Sequence, residues 1–546
     1  MTNNSELNEK PCLVQTQQGF SVLYKQRYLY SKYSPNASIL KIITNLTILP
    51  NTLILCYAPV LGYGLHELLE KMPSGCHILT VDFDEALHTF FKENCVSKTT
   101  DKVSSVLMHD PAEIVNILNE GKLVPPPGSF KRALIIKMSG GTVFNEEAYS
   151  ATTEYADSFI QNFWKNQITL TRMGRMYALD ILRNLKAIGT SCCETVRPLN
   201  KGSVSKPILV IGAGTSIDKL LPKLTAYKQN FFILCVDAAL PALLKNGIFP
   251  DAVVAVECQV AIEKAYIGAA DSGIHVIADL TSRPRVTRLC AGEVSFFLSE
   301  YCKMPFMAEI KTTACSLGIP VFPPLGSVGL YAVEIALYMR KTGTPVFVCG
   351  LDFSFVPGQT HCKGAPAHIS SALTANRLKP VGFPGAAYNY SARTIVGKSG
   401  RTEYTDAALS GYGALYVDRY KNADNLFDCA ETGMKSSLPL ISMDTMFDVA
   451  NAAPSLEKNS AHLKPYAVND KSIGYIENQK KKLLRIKSIL TGTEKPHSDT
   501  ELEELIVECG YLYAHFPDSA AGFRMTQDFL NRIRAEVDLF LKALGN

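Results

Sequence analysis

The stretch PILVIGAGTSID, Pro207–Asp218, decides how this chain is read. An apolar run, Ile208–Ile211, stops at Gly212-Ala213-Gly214-Thr215-Ser216, and a segment containing IDKLL follows. That order describes a buried strand, a tight glycine loop and a helix. A helix N-terminus beyond a parallel strand offers unpaired N–H groups and the positive end of the helix dipole, which suits a phosphate. Gly212 and Gly214 let backbone come close to such a group, and Thr215 and Ser216 add hydroxyl donors. The dinucleotide fingerprint requires a third glycine where this chain has Ile217. Asp237, roughly 25 residues beyond Gly212, stands where a ribose-binding acid is expected. Dinucleotide binding, another phosphate ligand and a purely structural turn all remain open at this point.

Working outward, the grammar repeats. FFILCVDA, AVVAVE (ending at Glu257), IHVIADLTS, VSFFLSE and PVFVCGLDF read as strands. They alternate with LPALLKNG and GSVGLYAVEIALYMRKTG, which read as helices, the second opening at Gly326-Ser327. Such alternation predicts βαβ units and a largely parallel sheet, and the continuous Val/Ile/Phe runs fit strands covered on both faces. Upstream, NTLILCYAP leads to Gly62-x-Gly64, HILTVDFDEAL reaches Asp82, RALIIKMSGG ends in a glycine turn, and 146–188 reads as a long helix. The expected fold class is α/β. Rossmann-like parallel sheets form an N-terminal domain, 1–185, and a central domain, 186–440, whose loop-rich part from about 371 is a cap or hairpin insert. SIGYIENQKKKLLRIKSIL and DFLNRIRAEVDLFLKALG carry apolar residues at helical spacing and predict a helical C-terminal domain, 441–546.

Bulk properties bound the function. A hydrophobic share of 47% against 19% charged residues describes ordinary globular protein with ample core. A net charge of +4 over 546 residues argues against a nucleic-acid binder. The N-terminus lacks an apolar signal-type core, and the longest apolar stretch is broken by Asp237 and Pro241. These features set the expectation of a cytoplasmic protein with no membrane span. The 15 scattered cysteines show no paired metal-ligand spacing and read as reduced thiols, with Cys192 and Cys193 adjacent. The run Lys480-Lys481-Lys482 alternates with apolar residues and reads as the wet face of a helix, or as a dock for an acidic partner.

Asp237, Glu257, Asp279 and Asp352 each close an expected strand, and His361 follows Asp352 after a short loop. A single aspartate there is commonly a cap or turn former. Several acids on one rim are harder to dismiss, because gathering carboxylates without a ligand is costly. Gly326-Ser327 offers a second anion cradle.

Four segments, LVIGAGTSID, FFILCVDAALPALLKNGIFPDAVVAVE, PPLGSVGLYAVEIALYMRKTGTPVFVCGLDFSF and GQTHCKG, together resemble successive motifs of the motility accessory factor family of bacterial flagellin glycosyltransferases. The resemblance is strongest over 207–364. That family's central domain is similar to bacterial sialyltransferases. The resemblance implies transfer of a nonulosonic acid, pseudaminic or legionaminic in type, from a CMP-activated donor to Ser or Thr of flagellin, in support of flagellar assembly and motility. It implies Gly212, Gly214, Thr215, Ser216, Asp237, Gly326 and Ser327 as nucleotide-binding residues. Glu257, Asp352 and His361 become candidates for the base that takes the acceptor's proton. Tyr388 and Tyr390 could face the leaving phosphate or simply pack. The chain departs from the family pattern at Thr215-Ser216-Ile217, where Gly-Pro-Ser is common, and at Asp237, where Asn is common.

Alternatives come from the same residues. One is a 6-hydroxymethylpterin pyrophosphokinase of the same superfamily, using ATP and magnesium held by Asp237, Glu257 or Asp352. Another is a flagellin-binding protein without turnover. The Gly62-x-Gly64 loop with Asp82 marks either a degenerate nucleotide fold serving as an acceptor platform or an adenosine pocket of methyltransferase type.

Overall fold

The computed structural model describes residues 10–95, 100–190, 195–382, 384–389, 391–452, 470–519 and 523–545; Tyr390, Cys192 and Cys193 lie outside them. The chain divides into two compact units, Met1–Arg172 with Tyr513–Arg524, and Met173–Leu512 with Met525–Asn546.

The first unit opens with an antiparallel ribbon, β1 (Cys12–Thr16), β2 (Gly19–Tyr24) and β3 (Arg27–Tyr28), which the polar N-terminal sequence does not announce. Helix α1 (Ala37–Asn45) leads into β4 (Thr52–Tyr57), α2 (Leu65–Lys71), β5 (His77–Asp82), α3 (Glu85–Asn94), β6 (Val103–Leu107), α4 (Glu113–Glu120) and β7 (Arg132–Lys137). The four strands pair in parallel in the order β6-β5-β4-β7. Side chains of β4 and β5 are buried throughout, as expected for strands covered on both faces. The long helix α5 (Glu146–Gly189) begins here, as the sequence predicts.

In the second unit β8 (Ile208–Ile211) leads to α6 (Ile217–Tyr227), β9 (Phe232–Val236), α7 (Leu240–Lys245), β10 (Ala252–Ala255), β11 (His275–Asp279), α8 (Val286–Leu289), β12 (Val294–Ser299), α9 (Pro305–Ser316) and β13 (Val321–Phe322). Helix α10 (Val328–Met339) precedes β14 (Val346–Cys349). Then come α11 (Pro366–Leu373), a hairpin of β15 (Arg393–Val396) with β16 (Thr402–Thr405), α12 (Ala407–Tyr420) and β17 (Leu426–Asp428). Four helices close the chain: α13 (Met443–Ala452), α14 (Asp470–Leu490), α15 (Glu501–Glu508) and α16 (Gln527–Leu544).

The large sheet runs β13-β12-β11-β10-β9-β8-β14-β17, with every pairing parallel. The chain walks outward from β8 to β13 and then returns to the other side of β8 with β14. The direction of travel reverses between β8 and β14, and ligands of open α/β sheets bind beyond the carboxyl ends of strands at such a reversal.

Two glycines set the geometry of that point. The register pairs Ile211 with Cys349, so Gly212 and Gly350 follow side by side. A Cβ on Gly212 would lie 2.2 Å from the Gly350 carbonyl oxygen, and one on Gly350 would lie 2.4 Å from that of Gly212. Gly350 also has φ +83°, the left-handed region that favours glycine. Gly212→Ala is therefore expected to destabilise the second unit by about 3 kcal/mol or more, since backbone must move. The control Gly474→Ala, in α14 with nothing within 4 Å, is expected to be neutral or to gain about 0.5–1 kcal/mol. Urea unfolding of both variants checks the contrast.

Candidate functional site

A cavity of about 490 Å³ opens at the β8–β14 reversal, wholly within the second unit. Gly214, Ser327, Asp352 and His361 among the sequence candidates line it. Glu257, Gly212, Thr215, Ser216, Asp237 and Gly326 do not.

The opening loop is a latch rather than an open cradle. The Gly212 N–H donates to Cys349 O at 2.8 Å and the Gly214 N–H to Gly350 O at 2.8 Å. The Ser216 N–H donates to Asp352 Oδ2 at 2.9 Å, the Ser216 hydroxyl to Asp352 Oδ1 at 2.5 Å and the Thr215 hydroxyl to Oδ2 at 3.3 Å. Asp352, just beyond β14, thus caps the turn that leads from β8 into α6. Its two oxygens are both engaged, and it is 3% exposed. Burial pushes its pKa up to about 6. Asp352 is thus held by the loop, and the N–H groups of Gly212, Gly214 and Ser216 have protein acceptors.

The other candidate carboxylates lie elsewhere. β10 stops at Ala255, two residues earlier than the sequence reading, so Glu257 falls outside the strand. Glu257 is exposed and accepts from the Gln259 N–H at 3.0 Å. Asp237 is buried at the tip of β9, where it accepts from the Ala238 N–H at 2.7 Å. Asp279, at the end of β11, accepts from the Ser299 hydroxyl and from the Thr281 N–H. Only the alternative pyrophosphokinase reading gave magnesium to Asp237, Glu257 or Asp352. Among the described residues no three His, Cys, Asp or Glu side chains are placed to hold a metal ion.

The start of α10, by contrast, carries no side-chain cap. Gly326 turns the chain at φ +68°, and Ser327 precedes the helix in extended conformation without making a side-chain cap bond. The first backbone bond into this helix is Tyr331 N–H to Ser327 O at 3.2 Å, so the N–H groups of the opening turn are left for a ligand. Ser327, Val328 and Gly329 all line the cavity. His361 lines the same cavity, with Nδ1 3.0 Å from the Thr360 hydroxyl, and burial lowers its pKa.

The insert supplies the remaining wall, which the sequence reading did not resolve into residues: Asn389, Ser391, Asp406 and Tyr412. The hairpin holds the segment after β14 firmly. Thr405 Oγ1 donates to Phe353 O at 2.9 Å, Phe355 and Tyr404 exchange backbone bonds at 2.7 and 2.8 Å, and the Ser354 hydroxyl donates to buried Glu403. Phe353 is held at φ +49°, uncommon for a residue with a side chain. Tyr388 is 80% exposed and does not line the cavity. In the basic run, Lys482 pairs with Glu309 and Glu508, Lys480 donates to Gly545 O, and Lys481 is exposed.

The corresponding tip of the first sheet is filled by its own chain. The Tyr30 hydroxyl donates to Pro59 O at 2.7 Å and accepts from the Leu61 N–H at 3.1 Å. Tyr24 and Lys25 bind Asp84, and the Gly140 N–H donates to Leu29 O. Asp82 is buried and pairs with His88 at 3.2 Å. The β1–β3 ribbon and the residues that follow it thus pack over this end of the sheet.

Buried Asp237 generates a pH prediction. Desolvation raises its pKa from 3.8 to about 7. A folded-state value above the unfolded one makes the carboxyl favour the fold when protonated. That contribution is complete below about 4 and is lost as pH rises through about 7. The thermal midpoint is expected to fall between pH 5 and pH 8, and Asp237→Asn to reduce that slope, as read by calorimetry across the range.

Comparison with known proteins agrees with this architecture. Residues 180–358 match the family described as 6-hydroxymethylpterin diphosphokinase MptE-like. A protein of Treponema pallidum (strain Nichols), described as uncharacterized, is 30% identical over 561 aligned positions covering 98% of this chain and 95% of that protein. The structure of a MAf glycosyltransferase from Magnetospirillum magneticum AMB-1 superposes with a TM-score of 0.56 at 15% identity, covering 98% of this chain and 91% of that one. The chain therefore belongs to the same family as the Treponema pallidum protein, carries an MptE-like segment in its second unit, and shares the fold of the MAf glycosyltransferase.

Proposed function

We propose that this protein is a glycosyltransferase that moves a nonulosonic acid, pseudaminic or legionaminic in type, from its CMP-activated form to Ser or Thr hydroxyls of flagellin. The single observation behind this reading is the uncapped start of α10 opening into a cavity at the sheet reversal. Among the described residues no Lys or Arg lines that cavity, while Asp352 and Asp406 do. Such a site suits one phosphate monoanion better than a polyphosphate. The likeness in fold to a MAf glycosyltransferase supports the same reaction class. The reading goes with a cytoplasmic enzyme; among the described residues no helix is long and apolar enough to cross a membrane.

The chemistry follows from the parts. As the anomeric bond breaks, negative charge gathers on the CMP phosphate. The N–H groups of Ser327, Val328 and Gly329 and the positive end of α10, about half a charge, stabilise it. His361 takes the proton of the attacking hydroxyl. Its burial keeps the imidazole neutral at pH 7, and the tautomer that donates from Nδ1 to Thr360 leaves Nε2 as acceptor. Asp352 acts through Ser216 to fix the loop beside the phosphate.

The match to the MptE-like family favours a second reading, a pyrophosphokinase using ATP and magnesium. The two separate by ligand. Calorimetry is expected to show CMP binding at least tenfold tighter than NAD or magnesium-ATP, and tighter binding of magnesium-ATP would contradict the glycosyltransferase. His361→Ala is expected to cut kcat about 10²–10⁴-fold with CMP affinity unchanged. Because burial lowers the His361 pKa, the acid limb of kcat/KM should lie below the ordinary histidine value of about 6.5. An acid limb well above that value would remove His361 from the role.

A further inference from the structure

Two carboxylates line the cavity, and they are committed differently. Asp352 spends both oxygens on Ser216 and Thr215. Asp406 spends one. It caps α12, with Oδ1 accepting from the Ala408 N–H at 2.9 Å and the Leu409 N–H at 2.8 Å. Its Oδ2 has no protein hydrogen-bond partner among the described residues, although Asp406 borders the cavity. Two helix starts therefore face one cavity. The start of α12 is neutralised by its own carboxylate, and the start of α10 is not. An anion belongs at α10, and a group with hydroxyl or amide hydrogens belongs at α12.

The neighbours of Asp406 agree. Asn389 and Ser391 lie on the same wall, and neither side chain has a protein partner among the described residues. Tyr412, two turns along α12 from the cap, overlies the turn into α10: a Cβ on Gly326 would lie 3.1 Å from its ring. The wall thus combines polar groups without protein partners and an aromatic edge, which is the chemistry of a polyhydroxylated, N-acylated sugar rather than of a phosphate.

We propose that Asp406 is a specificity-determining residue: its Oδ2 accepts a hydrogen bond from a hydroxyl or amide N–H of the transferred sugar, with Asn389 and Ser391 on the same face. The assignment rests on the glycosyltransferase reading and deepens it. It divides the cavity into a phosphate half, at the sheet rim and α10, and a sugar half, at the insert.

Asp406→Asn tests it cleanly. Asparagine caps helices about as well as aspartate, so Oδ1 can keep its two backbone bonds while Oδ2 becomes an N–H donor. The full chain and the variant are compared for binding of CMP alone, for turnover of a CMP-activated nonulosonic acid and for thermal midpoint. The expected result is an unchanged midpoint, CMP affinity within twofold, donor KM raised at least tenfold and kcat within threefold. An unchanged KM overturns the proposal, and so does a hundredfold fall in kcat at constant KM, which would make Asp406 the acceptor's base. If Asp406→Asn loses its fold, Asp406→Ser keeps a cap without the second oxygen and must show the same rise in KM; a normal KM there overturns the proposal. A wild-type protein that binds neither CMP nor the donor sinks the glycosyltransferase reading itself, which is a distinct outcome.

Discussion

The candidate site in the second unit depends on the backbone contact between the ends of β8 and β14. Gly212 and Gly350 leave no room for a Cβ on either side, and Asp352 ties the following turn to Ser216. This contact fixes the point where the sheet reverses direction. The N–H groups of Gly212, Gly214 and Ser216 are engaged within the protein, and Ala213 and Gly214 line the cavity. The free helix start belongs to α10, one element earlier in the chain than β14. The proposed site rests on that displacement: phosphate is assigned to α10, and His361 and the insert line the same cavity.

The insert earns its place through buried polar bonds, not through apolar area alone. Glu403 accepts from the Ser354 hydroxyl and the Gly433 N–H, and Lys398 pairs with Asp428 at 2.5 Å with both side chains 6% exposed. Removing one partner of such a pair would leave an uncompensated buried charge. The strained Phe353 is held between these bonds, which gives the cavity wall a defined shape before any ligand arrives. In the first unit the same sheet type has taken another course. Tyr24 of its N-terminal ribbon, with Leu29 and Tyr30 just after it, is buried in the core there.

Much of this was legible in the sequence, and the failures have physical causes. The bounds of β8, the strand–helix alternation and the long α5 follow from apolar runs and periodicity, which tertiary contacts reinforce. The glycine loop was located correctly, but its close approach to the Gly350 backbone was not foreseen, because glycine admits close approach by a ligand and by the protein's own backbone alike. Glu257 was misplaced because an apolar run does not show that its strand ends at Ala255. The ribbon β1–β3 and the edge strand β17 were missed, being short and partly polar. Asp406 looks like an ordinary helix cap in sequence, and it is one. Only the coordinates show that a single oxygen does the capping while the other is left to the cavity side.

The measurement that bears most directly on this account is a crystal structure of the protein with CMP bound. The phosphate should lie within hydrogen-bond distance of the Ser327, Val328 and Gly329 N–H groups, with the latch between Asp352 and Ser216 intact. A phosphate seated instead on the Gly212–Ser216 loop, with that latch broken, would contradict it.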